Sequence, residues 1–239
     1  METKLKISAR LKKVASFLPE GAFFADIGSD HAYLPCYVCL HDHSARAIAG
    51  EVREGPFHSA MKTVKRFRLE HAIEVRLGNG LNILKDDDSI RQIVIAGMGG
   101  KLITDILEKG KEKLSSVERI IVQPNVHAEL LRKWLLNHEF TVIDEAILEE
   151  NGHIYEIIVA DRGIASSPYK KSQLEKQLLF GPYLIQERSD AFYKKWREDL
   201  RKHVFVLEQM KQAAVKNDKK IAQYEQRIRW IQEVLEDES

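Results

Sequence analysis

The chain has 239 residues, 44% of them hydrophobic and 31% charged, with a formal net charge of +1. That composition is that of an ordinary soluble protein, and the length suits one catalytic-size domain plus an appendage. No apolar run approaches the roughly 20 residues of a bilayer span, and the basic Met1 to Arg10 lacks the apolar stretch of a signal peptide, so a cytoplasmic protein with no membrane partner is expected.

The first helix is expected over Leu5 to Leu18, where Leu11, Val14 and Leu18 recur at helical spacing before Pro19-Glu20-Gly21 stops the run. Lys4, Lys6, Arg10, Lys12 and Lys13 give it one candidate basic face, and Lys62, Lys65, Arg66 and Arg68 form a second. Such faces suit RNA as well as plain solvation, because a near-neutral total does not exclude a local patch. Short apolar runs at Phe23 to Ile27, Ala45 to Ala49, Ile73 to Leu77, Gln92 to Ala96 and Arg119 to Gln123 predict strands buried on both faces. Amphipathic helical stretches separate them, the last from about His127 to Asn137, so the domain is α/β with a mainly parallel sheet. Phe140 to Glu149 and His153 to Ala160 follow as an edge hairpin turning at Glu150-Asn151-Gly152.

Cys36 and Cys39 precede His41 and His43, which on paper is a zinc-ligand set. The run Tyr33 to Leu40 reads instead as an apolar helix in which Cys is a small hydrophobe, so no metal is expected.

The small, polar Arg162 to Pro168 marks a boundary, dividing the chain into domains over 1–163 and 164–239. In the second, Gly181-Pro182 breaks a helical piece carrying Leu174, Leu178 and Leu179. Tyr193, Trp196, Leu200, His203, Leu207, Met210 and Ala214 alternate at three- and four-residue spacing. Ile221, Tyr224, Ile228, Ile231 and Leu235 repeat the pattern after Lys216-Asn217-Asp218-Lys219, which predicts an antiparallel α-helical coiled-coil hairpin.

The first strand runs into Asp26-Ile27-Gly28-Ser29-Asp30-His31-Ala32, a glycine turn at the carboxyl end of a parallel strand, where open α/β sheets bind ligands. The dinucleotide fingerprint is not matched, since Asp30 and Ala32-Tyr33 stand where further glycines are needed. Acids here repel a pyrophosphate and suit a ligand with a cationic amino-acid end, such as S-adenosylmethionine. Asp30 equally suits a helix N-cap. Glu51 ends the second strand and can accept from both ribose hydroxyls of an adenosine, while Asn79, in Gly78-Asn79-Gly80, offers an amide to an adenine edge. Five alternating units closed by a hairpin is the count of a Rossmann-like class I methyltransferase domain with a mainly parallel seven-stranded sheet. Ile95-Ala96-Gly97-Met98-Gly99-Gly100 leaves room for a planar ring, and Asn125, in Gln123-Pro124-Asn125, carries both donor and acceptor for a base edge. A helix-opening turn and a helix N-cap are the plainer alternatives for these two segments.

Taken together, Asp26 to Pro35, Ala49-Gly50-Glu51-Val52, Gly78 to Leu81, Ile95 to Gly100 and Gln123 to Asn125 closely resemble the bacterial tRNA adenine-N1-methyltransferases that act at adenine 22 in the D-arm. The match spans residues 1 to about 161, and the helical tail looks like that family's coiled-coil domain. The resemblance implies S-adenosyl-L-methionine contacts from Asp26, Gly28, Ser29, Asp30, His31, Glu51, Asn79 and Gly80. Met98, Gly99 and Asn125 would line the adenine side, with tRNA as partner and a monomer as the expected state. No Asp/Asn-Pro-Pro-aromatic motif follows the fourth strand and no carboxylate is an obvious base, so catalysis is expected to rest on positioning an unstacked base. A nicotinamide-dependent oxidoreductase, a small-molecule methyltransferase on the same fold and a non-catalytic binding module remain as alternatives.

Overall fold

A strand with apolar side chains on both faces must be covered twice, and β1 (Phe23–Ile27) shows how this chain does it. Phe24 points into a core built with Val14, Leu34, Cys36 and Val64, while Ala25 and Ile27 point into another built with Ile103, Leu107, Leu131 and Leu135. The first core is closed by α1 (Ala9–Ala15), α2 (Tyr33–His41) and α3 (Glu54–Arg66), and the second by α4 (Gly100–Lys109) and α5 (Ala128–Asn137). These elements belong to a computed structural model that describes residues 5–163, 166–213 and 217–237; Lys4, Ile164, Ala165, Ala214 and Lys216 lie outside them.

The remaining strands are β2 (Arg46–Glu51), β3 (Ile73–Leu77), β4 (Gln92–Met98), β5 (Arg119–Pro124), β6 (Phe140–Glu150) and β7 (His153–Arg162). They form one seven-stranded sheet in the order β3-β2-β1-β4-β5-β7-β6. The first five are parallel and β7 runs antiparallel to both β5 and β6. The expected hairpin turn is present, with Asn151 and Gly152 both at positive φ (52° and 78°), the backbone that an Asn-Gly turn supplies. Cys36 and Cys39 are buried in α2, and burial pushes their thiols up to about 12 and about 11, which is the behaviour of packing residues. The first helix is shorter than its periodicity predicts. Ser8 caps it by accepting from the Leu11 N–H at 3.1 Å, which leaves Leu5 and its neighbours outside the helix.

The tail comprises α6 (Leu174–Phe180), α7 (Leu184–Glu187), α8 (Asp190–Gln212) and α9 (Asp218–Glu236). Phe180, Phe192, Trp196, Ile231 and Val234 form a third core that reaches Ile147 of β6. The α8/α9 seam expected from the spacing is present, with the rings of His203 and Tyr224 5.4 Å apart.

One buried ion cluster ties tail to sheet. Arg132 on α5 is 0% exposed and donates to Glu145 of β6 and to Glu156 of β7, each at 2.6 Å. It also donates to the carbonyls of Leu178 and Leu179 on α6, both at 3.3 Å. Glu145 in turn accepts from the Tyr183 N–H at 2.9 Å, and Lys195 of α8 pairs with Glu156 at 3.1 Å. Burial alone would pull the guanidinium down, but the two carboxylates outweigh it and hold Arg132 above its usual range. Gly181 has φ 90°, and a Cβ there would stand 2.6 Å from a Glu145 oxygen, so this helix break needs glycine. Arg132→Met is expected to lose about 3–5 kcal/mol of stability in urea unfolding, because two buried carboxylates are left short of a counter-ion.

Candidate cofactor and acceptor site

The order of strands reverses between β1 and β4, and the carboxyl ends of β1, β2 and β3 face those of β4 and β5 across that step. On the first side, the backbone N–H groups of Gly28 and Ser29 both donate to the Gly50 carbonyl, at 2.9 and 3.1 Å, binding the β1 loop to β2. Gly28 has φ 72°, and a Cβ there would lie 2.2 Å from the Met98 methyl carbon, so Met98 of β4 closes directly over the loop. Asp30, His31 and Ala32 follow at φ 43°, 68° and 55°, three successive left-handed residues that only a tightly determined surrounding sustains.

Acidic groups dominate this side. Asp26 is 4% exposed and accepts from the Ser29 hydroxyl at 2.5 Å. Burial pushes its carboxyl up to about 7; Ser29 opposes the shift, Glu51 adds to it and Arg10 opposes it. Glu51 is 6% exposed and raised too, chiefly by burial, although the Asp30 backbone N–H donates to it. Its Oε1 is buried with no hydrogen-bond partner. An orphaned carboxylate oxygen beside a close-approach glycine is what a sugar hydroxyl would satisfy, so the residues present fit an adenosyl ligand with a cationic end. Asn79 is exposed at the end of β3, with Gly80 at φ 56° beside it. Exposed Val52 and Leu77 add apolar surface at the same strand ends, a role that the motifs containing them did not suggest.

The other side of the step, at the ends of β4 and β5, is a knot of amides. The β4/β5 register slips between Ala96 and Met98, at Gly97 with φ 77°, and this bulge frees the Gly97 carbonyl from the ladder. The Asn125 side chain donates to that carbonyl at 2.9 Å and accepts from Gln123 Nε2 at 3.2 Å, while Gln123 Oε1 accepts from the Gly97 N–H at 3.0 Å. Gln123 is 0% exposed, and its Oε1 also accepts from the guanidinium of Arg10. Asn125 itself is exposed and lines a groove of about 640 Å³ together with Tyr155, Trp196, Tyr224 and Arg227.

Several expectations change here. Neither Asp30 nor Asn125 is a helix cap: Ala32 and His127, both left-handed, occupy the N-cap positions of α2 and α5. Gly99 caps α4 and would tolerate a Cβ, which meets only Val126 at 3.7 Å; the position that needs glycine is Gly100, 2.3 Å from the His127 carbonyl. His31 is half-exposed, stacked on Tyr33 at 5.3 Å with Nε2 3.5 Å from Asp30. Arg10, expected on the outer basic face, turns inward. Its four-residue offset from buried Val14 was the available signal, since i and i+4 share a helix face.

Fold and site define a class I S-adenosylmethionine-dependent methyltransferase. A family model described as tRNA (adenine(22)-N(1))-methyltransferase matches residues 24–233, and the chain belongs to that family. A Bacillus subtilis relative of that description is 45% identical over 98% of both chains. The crystal structure of the B. subtilis m1A22 tRNA methyltransferase TrmK has a TM-score of 0.90 at 45% identity, covering 97% of this chain and all of that one. Streptococcus pneumoniae Sp1610, a candidate tRNA (m1A22) methyltransferase solved with S-adenosyl-L-methionine, has a TM-score of 0.84 at 43% identity, covering 96% and 100%.

Asp26 gives this site a pH signature. Its folded carboxyl holds a proton up to about 7 against an ordinary 3.8, so its contribution to stability is full below 3.8 and is lost as pH rises through 7. Asp26→Asn is therefore expected to melt higher than the ligand-free wild type at about pH 8 and to flatten the dependence of stability on pH. A cationic ligand end favours the ionised form, so wild-type affinity for S-adenosylmethionine should rise between about pH 6 and pH 8 with proton release, by calorimetry in buffers of different ionisation heat. In Asp26→Asn that affinity should fall by about tenfold or more and lose its pH dependence.

Proposed function

We propose that the chain transfers a methyl group from S-adenosyl-L-methionine to N1 of adenine 22 in the D-arm of tRNA. What carries the reading is the facing of two chemically distinct sets across the β1–β4 step: buried acids with an orphaned Glu51 oxygen, and the Gly97–Gln123–Asn125 amide knot. Asp26, Ser29, Asp30 and His31 hold the amino-acid end of the cofactor, Glu51 the ribose, and Asn79 and Gly80 the adenine, with Gly28 allowing the approach. Bound there, S-adenosylmethionine supplies a methyl group made electrophilic by its sulfonium.

Adenine N1 carries an in-plane lone pair and no proton, so the chain needs no base at this point and the product ring takes the positive charge. Met98 and Gly99 border the space between the two sides, and Asn125 receives the target base. Fixing donor and acceptor in line is worth up to about 7–11 kcal/mol, which is the scale required of a site that works by positioning. The base is unstacked beforehand, and the groove beside Asn125 gives it a path.

Residues 1–163 serve as the catalytic domain and 164–239 as a helical domain that grips tRNA together with the exposed Lys12, Lys13, Lys62, Lys65, Arg66 and Arg68. The protein works as a cytoplasmic monomer. Among the described residues no helix is long and apolar enough to cross a membrane.

Labelled S-adenosylmethionine and unmodified tRNA transcripts test this. Incorporation with a reverse-transcriptase stop at adenine 22, lost when guanine replaces that base, is the expected result; labelling elsewhere or none overturns it. Asn125→Ala should cut turnover by up to about 100-fold, and unchanged turnover would remove the base from that position.

A further inference from the structure

Arg10 sits on a helix whose start is pinned, its backbone N–H donating to Glu150 at the tip of β6 at 3.4 Å. From there its guanidinium lies over the Tyr155 ring, 5.2 Å from the centroid, and donates to Gln123 Oε1. It also stands 3.7 Å from where a Gly97 Cβ would be. Lys6, Lys12 and Lys13 of the same segment are exposed. We propose that Arg10 is a positioning residue: acting through Gln123, it sets the orientation of the Asn125 amide at which the target base is received. The proposal rests on the placement of that base at Asn125.

A planar amide turned over about its last side-chain bond keeps its shape and exchanges donor for acceptor. What decides between the two states of buried Gln123 is the pair of donors on Oε1: the Gly97 N–H at 3.0 Å and Arg10. The second is charge-assisted and therefore the stronger. With the oxygen held, Nε2 must face Asn125, whose Oδ1 accepts at 3.2 Å, and Asn125 Nδ2 then donates to the Gly97 carbonyl at 2.9 Å. An Asn side chain has two N–H groups and two acceptor lone pairs, so one of each remains for a base in a defined orientation. Without Arg10 the oxygen keeps only its neutral donor, the Gly97 N–H, and the relay loosens.

Single-turnover methylation of tRNA by Arg10→Ala, Arg10→Lys, Gln123→Met and the double variant Arg10→Ala/Gln123→Met tests the relay. The rate at saturating tRNA should fall about 10- to 100-fold in Arg10→Ala, with Arg10→Lys recovering part of it. The tRNA affinity and its salt dependence should stay at wild-type values, and the double variant should be no slower than the slower single one. A weaker tRNA affinity with a shallower salt dependence would instead make Arg10 a phosphate contact and overturn the proposal. Multiplying losses in the double variant, or an unchanged rate in Arg10→Ala, overturn it as well. Should Arg10→Ala not fold, Arg10→Lys keeps the charge and the helix packing, and its cycle with Gln123→Met decides. If Asn125→Ala turns over normally, the base placement fails and the relay with it. If Asn125→Ala is slow while Arg10 and Gln123 act independently, only the relay fails.

Discussion

The Arg132 cluster is the constraint on which the arrangement of the molecule depends. One guanidinium with no exposure collects carboxylates from β6 and β7, carbonyls from α6 and, through Glu156, the ammonium of Lys195 on α8. An ion pair taken so far from water repays its desolvation only when every partner is in place. The cluster therefore admits one docking of the tail. It thereby sets part of the groove that Asn125 also lines, because Glu156, Lys195 and Trp196 line it. Its stabilising role is local, while its consequence for the acceptor side is geometric.

The cofactor side has the opposite character. Burial raises both Asp26 and Glu51, with Glu51 adding to the Asp26 shift and Asp30 to that of Glu51; Glu51 has an orphaned oxygen, and three non-glycine residues in a row hold left-handed backbone. Each feature weakens the ligand-free protein. In the proposed function, the two carboxylates are acceptors set in place before a cation or a hydroxyl arrives. Across the step, at the ends of β4 and β5, amides without charge satisfy one another around the Gly97 bulge, and in the proposed reaction these are the groups that receive the base. That division suits a transfer in which positive charge moves from sulfur to a base ring and no proton has to be taken away at N1.

Much of this was legible in the chain itself. Strands buried on both faces must be short and apolar, so β1 was readable to the residue and β2, β4 and β5 to within two. β3 has the expected bounds but, as the edge strand, buries only Ile73, so its expected burial on both faces does not hold. The Asn-Gly hairpin and the Gly181-Pro182 break follow from backbone sterics alone. Acids in the β1 loop and Glu51 at the end of β2 pointed to a cationic adenosyl ligand, since charge and strand-end position can both be read from order along the chain. The exact motif run through Pro35 then identified the family by resemblance.

Only the tertiary structure decided the rest, because it depends on which strand ends lie side by side. Strand order brings Gln123 of β5 against the β4 bulge and turns Arg10 from an apparent surface charge into a neighbour of both. It also gives Arg132, an ordinary helical arginine in sequence, two carboxylates from the distant edge hairpin. Helix caps passed from Asp30 and Asn125 to Ala32 and His127 because loops closing against neighbouring strands imposed left-handed backbone that local propensity disfavours. The sequence by itself determined the elements and the kind of ligand, through periodicity and charge. Partnership among buried polar groups belongs to the fold, since a hydrogen bond is chosen by proximity and direction, neither of which is written in one dimension.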